Sequence, residues 1–494
     1  MTNSQPALPD ARTLAGGVAW IGALRWSAQI LNWLSTLVVI RLLSPEDYGI
    51  VGMATVFIGV AAVLSEFGLG SAVVALPALD SREVAELNGG AVLLSIVMAI
   101  VALLSAPLLA HFFNEPALRL VVPVLSLGFV LEGIRTVPVA MLSRRLAYRS
   151  TAMLDFGRQA GSAVLVLALA WLGTGYWALV GGNLGGSLVA TLWVLAIHRQ
   201  PLAVPRLAHL ARPLTYARHI LGSRIAWQAY RNSDFLIAGR LFGADLLGYY
   251  TVAWNLASLP GEKLGNIITA ATGPFFAAIQ HDRAALRHHF LRVTEMLSLI
   301  ILPVLVGFLL VADLAVPLLL GDRWMPAVTP LRLLIGYAAV QAVVSPVSQV
   351  LNVTGNTRTS MLSGVLALLV LPPTFLVGAH FWGINGIALG WLATYPLLTL
   401  YPLGRVRQAL SLPFLEYLRA WRRAVEGVIW LLALALLVGF LMPPGLPEWA
   451  RLVALIIAGA GGYLACIGLR HRSVVANAIQ LVRRRKSAES STGS

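Results

Sequence analysis

Long apolar runs separated by short polar segments dominate the chain from residue 16 to residue 469. Several runs, such as 92–109 and 452–469, approach the roughly 20 residues that a helix needs to cross a bilayer. No ten-residue alternating pattern typical of a membrane barrel is present. The pattern predicts fourteen transmembrane helices, with approximate extents 16–40, 48–76, 87–112, 118–142, 151–172, 176–197, 220–242, 246–272, 291–312, 328–353, 361–380, 384–403, 427–442 and 451–469.

Composition supports an all-α integral membrane protein. Hydrophobic residues make up 58% and charged residues 12% of the 494 positions, and the mean hydropathy is +0.79. Such a chain is too apolar for a soluble fold of this length. The single cysteine, Cys466, excludes an intrachain disulfide. Neither a phosphate-binding glycine-rich loop with lysine nor a metal motif is present, so the sequence supports neither ATP hydrolysis nor metal catalysis.

The basic residues predict the topology. The net charge is +15, and 34 of the 36 basic residues are arginines in a chain of short loops. With the N-terminus in the cytoplasm, 24 basic residues fall on the cytoplasmic side, and the opposite side holds five: Arg41, Arg119, Arg240, Arg323 and Arg451. This bias follows the positive-inside rule. We therefore expect an even number of spans, both termini in the cytoplasm, and no nucleic-acid partner.

Seven basic residues fall inside predicted spans, where a charge costs about 3 kcal/mol by insertion scales and normally faces a polar cavity. Three of them have an acid one helical turn away, in the pairs Glu132 with Arg135, Asp155 with Arg158, and Arg231 with Asp234. These pairs could neutralise each other. The other four have no acid at helical spacing: Arg25, Arg224, Lys263 and Arg332.

An internal repeat relates two halves of the chain. A shift of 199 residues aligns Arg25 with Arg224, Gln29 with Gln228, and Gly49 with Gly248. Six spans separate the repeats, so the halves have the same orientation, and we expect pseudo-two-fold symmetry about an axis along the membrane normal. The predicted organisation is an N-terminal tail (1–15), a six-helix lobe (16–198), a linker (199–219), a second six-helix lobe (220–404), a basic amphipathic loop (405–426), a C-terminal helix pair (427–470) and a basic disordered tail (471–494).

Equivalent polar stripes mark the two repeats. Arg25, Gln29 and Asn32 share one face of the first span. On the seventh span, Gln228 and Arg231 follow Arg224 in the same way. Arginine binds multivalent anions through a planar fork of donors, so a cavity lined by both stripes would suit phosphate. The candidate substrate-binding residues are Arg25, Gln29, Arg224, Gln228, Arg231, Lys263 and Arg332.

Coupling to an ion would need an acid within the spans. Glu66 has no basic residue within one turn, and Glu66 and Asp234 are the candidate proton or sodium sites. A position of Glu66 in water at the cytoplasmic end of its span is an equally good interpretation. We expect no cofactor.

The segment from Arg41 to Gly49, RLLSPEDYG, predicts a helix start. Ser44 can cap the second span, Pro45 fits its first turn, and Asp47 replaces the usual glutamate of a capping box. This local chemistry explains most of the motif without a function.

The longer stretch RLLSPEDYGIVGMATVFIGVAAVLSEFGLGSAVV, residues 41–74, resembles the N-terminal region of the polysaccharide-transporter family, in particular Wzx-type flippases of the colanic-acid exporter subgroup. The resemblance implies the multidrug/oligosaccharidyl-lipid/polysaccharide (MOP) flippase fold, with a central cavity and alternating access. It also implies translocation of undecaprenyl-diphosphate-linked oligosaccharides from the cytoplasmic to the periplasmic leaflet of the bacterial inner membrane, for exopolysaccharide or lipopolysaccharide synthesis.

On this resemblance the partners are the lipid-linked oligosaccharide, membrane lipids, a polysaccharide polymerase and chain-length or export proteins. By position, the diphosphate contacts are Arg25, Arg224, Arg231 and Lys263, with Arg332 as a further candidate. Two alternatives stay open. One is an ion-coupled exporter of the multidrug type, against which the arginine stripes argue; the other is a membrane glycan polymerase, which we would expect to use a sizeable external loop.

Overall fold

The computed structural model describes residues 27, 29, 31–66, 69–75, 79–145, 147–206, 227–443 and 445–472. Within these ranges the regular structure is helical, as predicted. The helices are α1 (Leu31–Leu42), α2 (Pro45–Glu66), α3 (Leu69–Ala75), α4 (Ser81–Phe113), α5 (Leu118–Arg144), α6 (Tyr148–Trp171), α7 (Trp177–Ile197), α8 (Ser233–Ala278), α9 (Arg283–Leu320), α10 (Val328–Val353), α11 (Thr357–Ala409), α12 (Phe414–Leu441) and α13 (Glu448–Arg470), with a 3-10 turn at Asp322–Ala327.

The helix starts follow the capping chemistry of the sequence. The Ser44 backbone N–H and hydroxyl donate to Asp47 Oδ2 at 2.8 and 2.7 Å, and the Asp47 N–H donates to Ser44 Oγ at 3.2 Å. The predicted capping box at the start of α2 is therefore confirmed. Asp80 and Glu83 form the same reciprocal arrangement at the start of α4. Each box satisfies N–H groups that a helix leaves without intrahelical partners.

Ten of the described helices are long and apolar enough to cross a membrane. Glycines explain two differences from the predicted spans. The chain stays helical through α8 and α11, but the backbone bends at Gly243 (φ 76°) and at Gly383 (φ 59°), where the sequence predicts a break between two spans. Glycine adopts these angles because it has no Cβ. Each long helix is thus two helices joined at a glycine.

Two other predictions differ from the structure. The single predicted span 48–76 consists of the separate helices α2 and α3. The predicted loop 405–426 is mostly helical, because α11 continues to Ala409 and α12 begins at Phe414. One face of this segment packs inward: Tyr417 and Ala424 are almost fully buried, and Tyr417 stacks on Phe290 at 5.9 Å. Packing against α9 therefore makes this segment the first turns of a span.

The chain divides into two compact units, Met1–Thr251 and Val252–Ser494. In the first unit α4 packs against α5 and α6 against α7. A buried cluster joins α3, α4 and α5: Leu69, Val73, Val84, Leu87, Ala91, Val137 and Ala140. In the second unit α10 packs against α11 and α12 against α13. Buried aromatic rings there surround Trp391, whose centroid lies 4.7 Å from that of Tyr337.

The beginning of the predicted linker is tied to the first unit. The Ala203 N–H donates to the Ala85 carbonyl of α4 at 3.1 Å. The buried Asn88 side-chain amide donates to the carbonyls of Gln200 and Pro201 at 3.3 and 3.2 Å. A Cβ on Gly89 would lie 1.9 Å from the Ala203 carbonyl oxygen. Glycine at this position thus allows the extended segment 200–206 to lie directly on α4.

The first unit also contains a reciprocal contact between the two repeats. A Cβ on Gly49 would lie 1.8 Å from the carbonyl oxygen of Ala244, and a Cβ on Gly248 would lie 1.8 Å from that of Pro45. The 199-residue shift that aligns Gly49 with Gly248 also aligns Pro45 with Ala244. A two-fold relation requires such reciprocity, because each residue then meets the equivalent of its own neighbour. The contact supports the internal repeat and its predicted symmetry.

Candidate functional site

The polar stripe of the first span carries two donors without partners. Gln29 Nε2 and Trp33 Nε1 are buried, and neither has a hydrogen-bond partner in the described chain. They are four residues apart and therefore lie on the same helical face. Asn32, the third residue of the predicted stripe, has a backbone carbonyl that accepts from Thr36 Oγ1 at 2.7 Å. Buried donors are nearly always satisfied in folded proteins. This face of the helix therefore carries two buried N–H groups that no described residue satisfies.

The equivalent stripe of the second repeat lies against α2. Gln228 and Asn232 share one helical face, and the Asn232 side-chain amide donates to the Gln228 carbonyl at 2.9 Å. A Cβ on Gly59 would lie 2.4 Å from Gln228 Nε2 and 3.8 Å from Asn232 Nδ2. The absence of a side chain at Gly59 thus makes room for both amides.

Arg231 lies on the same helical segment, next to an aromatic ring. Its guanidinium carbon is 4.7 Å from the centroid of the Trp227 ring, and the side chain is half-buried. A cation over an indole face is stabilised without losing its charge. Arg231 therefore has an aromatic partner one helical turn away on the same segment.

The candidate coupling residue Asp234 is fully buried at the beginning of α8. Its carboxylate accepts from the Tyr250 hydroxyl at 2.7 Å and from the Phe235 backbone N–H at 2.9 Å. Hydrogen bonds to an ionised carboxylate are strong because the acceptor is charged. Asp234 thus connects the start of α8 with the residues that follow the Gly243 bend.

Local spacing predicts the acidic partner of Arg135 correctly, but it does not do so for Arg158. Arg135 pairs with Glu132, as expected. Asp155 and Arg158 do not form an ion pair, although both side chains are described; Arg158 is exposed, whereas Asp155 is half-buried. These two side chains therefore have different surroundings despite their spacing of one helical turn.

Arg332 has no acid within four positions of the sequence, but it has an acidic partner on another helix. Its guanidinium pairs with Asp313 of α9, and both side chains are about half exposed, at 41% and 53%. Asp313 precedes Arg332 by 19 residues on another helix, so a search within four positions could not find it. The pair neutralises Arg332 and weakens its assignment as a diphosphate contact.

The remaining candidates are only partly covered. Arg25 and Arg224 lie outside the described residues. Lys263 lies in α8 and Glu66 is the last residue of α2, but neither side chain belongs to the described part. The structure therefore brings together Gln228 and Arg231 on one segment and describes Gln29 on another. Trp33 and Trp227 were missed in the sequence, although Trp33 is four residues beyond Gln29.

Ten apolar helices, glycine bends and polar stripes define a multi-pass α-helical membrane protein. Its fold is that of MOP transporters. It is similar to the inward-closed lipid II flippase MurJ, with TM-score 0.73 and 15% identity over 92% of this chain and 100% of the flippase. An inward-facing multidrug resistance transporter of the MATE family matches with TM-score 0.63 and 15% identity, over 78% of this chain and 94% of that one.

Residues 38–329, more than half of the chain, match the family described as polysaccharide biosynthesis protein, and the chain belongs to this family. It is 26% identical over 497 residues to the succinoglycan biosynthesis transport protein ExoT of Rhizobium meliloti (strain 1021), covering 98% of each chain. It is also 27% identical over 387 residues to the lipopolysaccharide biosynthesis protein WzxC of Escherichia coli (strain K12), covering 75% of this chain and 77% of the relative. The predicted family and fold are confirmed.

Proposed function

We propose that this protein is a flippase for undecaprenyl-diphosphate-linked oligosaccharides, which it moves from the cytoplasmic to the periplasmic leaflet of the bacterial inner membrane by alternating access. Family membership and the transport proteins among the relatives support the class of activity. The lipid diphosphate is a polyanion whose oxygens require several hydrogen-bond donors. The oligosaccharide adds hydroxyl groups, which need both hydrogen-bond donors and hydrogen-bond acceptors as partners.

The observation that carries this proposal is the pair of unsatisfied donors on the first span. A buried donor without a partner costs about 1–3 kcal/mol. Gln29 Nε2 and Trp33 Nε1 would repay that cost by donating to a transported headgroup. The amides of Gln228 and Asn232 and the cation of Arg231 extend the same chemistry on the equivalent segment. Arg25 and Arg224 would supply the charge, one on each of these stripes.

The first experiment identifies the cargo. Cells are depleted of the protein, and lipid-linked glycans are extracted and analysed by mass spectrometry. We expect one lipid-diphosphate oligosaccharide to accumulate on the cytoplasmic side. If no such intermediate accumulates while the exported polysaccharide is unchanged, the proposed cargo is wrong.

The second experiment separates transport from stability. Gln29→Leu removes an unsatisfied donor while keeping a similar volume, so thermal stability should be equal or slightly higher. Trp33→Phe also removes an unsatisfied donor, but the smaller ring loses some packing, so its stability should stay close to that of the wild type. Export in depleted cells complemented with each variant should fall. Arg25→Ala and Arg224→Ala should abolish export at normal membrane abundance. Arg332→Gln is the matched control, because Arg332 already has Asp313 as its partner. Full export by the Gln29 and Trp33 variants would remove these donors from the site.

Ion coupling through Glu66 or Asp234 belongs to the same proposal. Proton or sodium exchange would supply the free energy for net movement of a charged headgroup. Export that persists after collapse of both ion gradients would exclude such coupling. A polysaccharide polymerase and chain-length or export proteins are the expected partners, since the flipped unit must be consumed outside.

A further inference from the structure

A basic cleft of about 880 Å³ lies in the second unit, where α9 and α12 begin and α13 ends. Five arginines contribute to its walls: Arg292 of α9, Arg419, Arg422 and Arg423 of α12, and Arg470 of α13. Two histidines and two glutamates complete its charged lining. Because three helix ends meet here, the cleft lies at the border of the apolar spans.

Acids neutralise only part of this cleft. Arg423 pairs with Glu295 at 2.6 Å, and the lining carboxylate of Glu416 pairs with Arg287 outside the lining. Arg422 and His471 share Glu426, at 2.7 and 3.0 Å. These contacts tie α9 to α12 and α12 to α13, so they fix the walls.

Three guanidinium groups in the lining form no ion pair within the described residues. Arg292, Arg419 and Arg470 line the cleft and form no ion pair with any acid in the described residues. Their side chains are exposed and belong to three different helices. A planar guanidinium presents parallel donors that match phosphate oxygens. Three such groups around one cleft therefore form a site for a phosphate anion.

Apolar side chains continue from the cleft along the same helices. Leu418, Val425 and Ile429 of α12 are exposed, as are Leu464 and Leu469 of α13. A soluble phosphate would make no contact with these apolar side chains. A phospholipid would place its phosphate in the cleft and its acyl chains against them, and each buried CH₂ contributes about 0.8 kcal/mol.

We propose that the cleft formed by Arg292, Arg419 and Arg470 at the ends of α9, α12 and α13 binds the headgroup of an anionic membrane phospholipid. The lipid phosphate would contact all three guanidinium groups and so hold the three helix ends together. This site is separate from the donors on the first span, and the proposal does not depend on which cargo is transported.

Lipid retention by the purified protein tests the proposal. The full chain is reconstituted with an equimolar mixture of phosphatidylglycerol and phosphatidylcholine, then released from the bilayer and examined by native mass spectrometry. The cleft variant carries Arg292→Gln, Arg419→Gln and Arg470→Gln. The matched control carries Arg119→Gln, Arg323→Gln and Arg451→Gln, three exposed arginines outside the cleft. Both variants lose the same charge, so they separate a site from general electrostatic attraction.

We expect the wild type and the control variant to retain phosphatidylglycerol in preference to phosphatidylcholine. Each basic residue near an anionic surface contributes about fivefold in affinity, so the cleft variant should bind roughly a hundredfold more weakly. A variant with lysine at the same three positions keeps the charge, and its affinity for phosphatidylglycerol should fall between those of the wild type and the glutamine variant. The lysine variant also tests the site if the glutamine variant does not fold.

Three results would overturn the proposal. Equal losses in the cleft and control variants would mean that only net charge matters. Equal retention of the two lipids by the wild type would mean that the headgroup charge is not recognised. Displacement of phosphatidylglycerol by inorganic phosphate at similar concentration would identify a site for free phosphate, since the acyl chains would then contribute nothing.

Discussion

The reciprocal contact at Gly49 and Gly248 gives a quantitative prediction about the internal repeat. Gly49→Ala places a methyl group 1.8 Å from the Ala244 carbonyl oxygen, and Gly248→Ala places one 1.8 Å from the Pro45 carbonyl oxygen. Carbon and carbonyl oxygen normally approach to about 3.3 Å. Each substitution therefore requires the two backbones to separate by about 1.5 Å at this point. Backbone atoms cannot rotate away as a flexible side chain could.

The expected cost follows from two opposing terms. Overpacking of a tight contact costs about 1–3 kcal/mol, whereas alanine gains roughly 0.5–1 kcal/mol over glycine inside a helix. We expect a net loss of about 1–2 kcal/mol for either variant, with nearly equal values because the two contacts are equivalent. In the double variant the helices are already apart. The second methyl should then cost less, giving a coupling energy of about 1 kcal/mol.

Thermal unfolding of the detergent-purified protein, followed by circular dichroism, measures these effects. Gly461→Ala on α13 is the control, since no atom lies within 4 Å of its added Cβ and the helix gain alone should raise stability slightly. Two unequal single losses, or a double variant whose loss equals their sum, would refute the reciprocal contact. Stabilisation by Gly49→Ala would refute the contact altogether.

Two further predictions concern the first unit. Gly89→Val should release the segment 200–206 from α4, because the Cβ of the new side chain would lie 1.9 Å from the Ala203 carbonyl oxygen. Limited proteolysis should then cut this segment faster than in the wild type. Gly445→Val is the control, because its Cβ would meet open space and the segment should be cut no faster. Tyr250→Phe removes the hydroxyl that donates to buried Asp234 at 2.7 Å and should destabilise the protein by about 1–3 kcal/mol in chemical unfolding, because a buried acceptor loses its partner. Tyr176→Phe is the control, since the Tyr176 hydroxyl makes no hydrogen bond within the described residues, and equal costs would contradict a special role for the Asp234 contact.

Much of the fold follows from local sequence patterns. Hydrophobic length predicts the spans, and the bounds of α10 agree with the predicted 328–353. Ser44 and Asp47 predict the start of α2 because a capping box needs only residues three positions apart. The sequence predicts an amphipathic stretch or a solvated surface helix at 405–426, but it does not predict that 414–426 continues into the next span, since the basic residues obscure the face that packs on α9. Local patterns report hydrogen bonds along the chain better than packing across it.

The site was less predictable because its partners come from other helices. The stripe from Gln29 and the equivalent Gln228 could be identified from helical spacing and the repeat. The pair between Arg332 and Asp313 could not, since nothing in the sequence states which faces of α9 and α10 meet. Gly59 could not be identified for the same reason, because it makes room for the side chain of Gln228, which is 169 positions away in the sequence.

Two different requirements can place basic residues near the ends of the spans: membrane topology and the binding of an anion. The positive-inside rule requires cations near one membrane face, but it sets no geometry for them. Arg287, Arg422 and Arg423, which the sequence predicts on the cytoplasmic side, are paired with acids. Arg292, Arg419 and Arg470 are predicted on the same side, yet they line one cleft from three helices without an acidic partner in the described part of the chain. Like charges held close together repel, so topology alone would favour their dispersal along the surface. An anion in the cleft would offset this repulsion, and the adjoining apolar surface favours a lipid as its source.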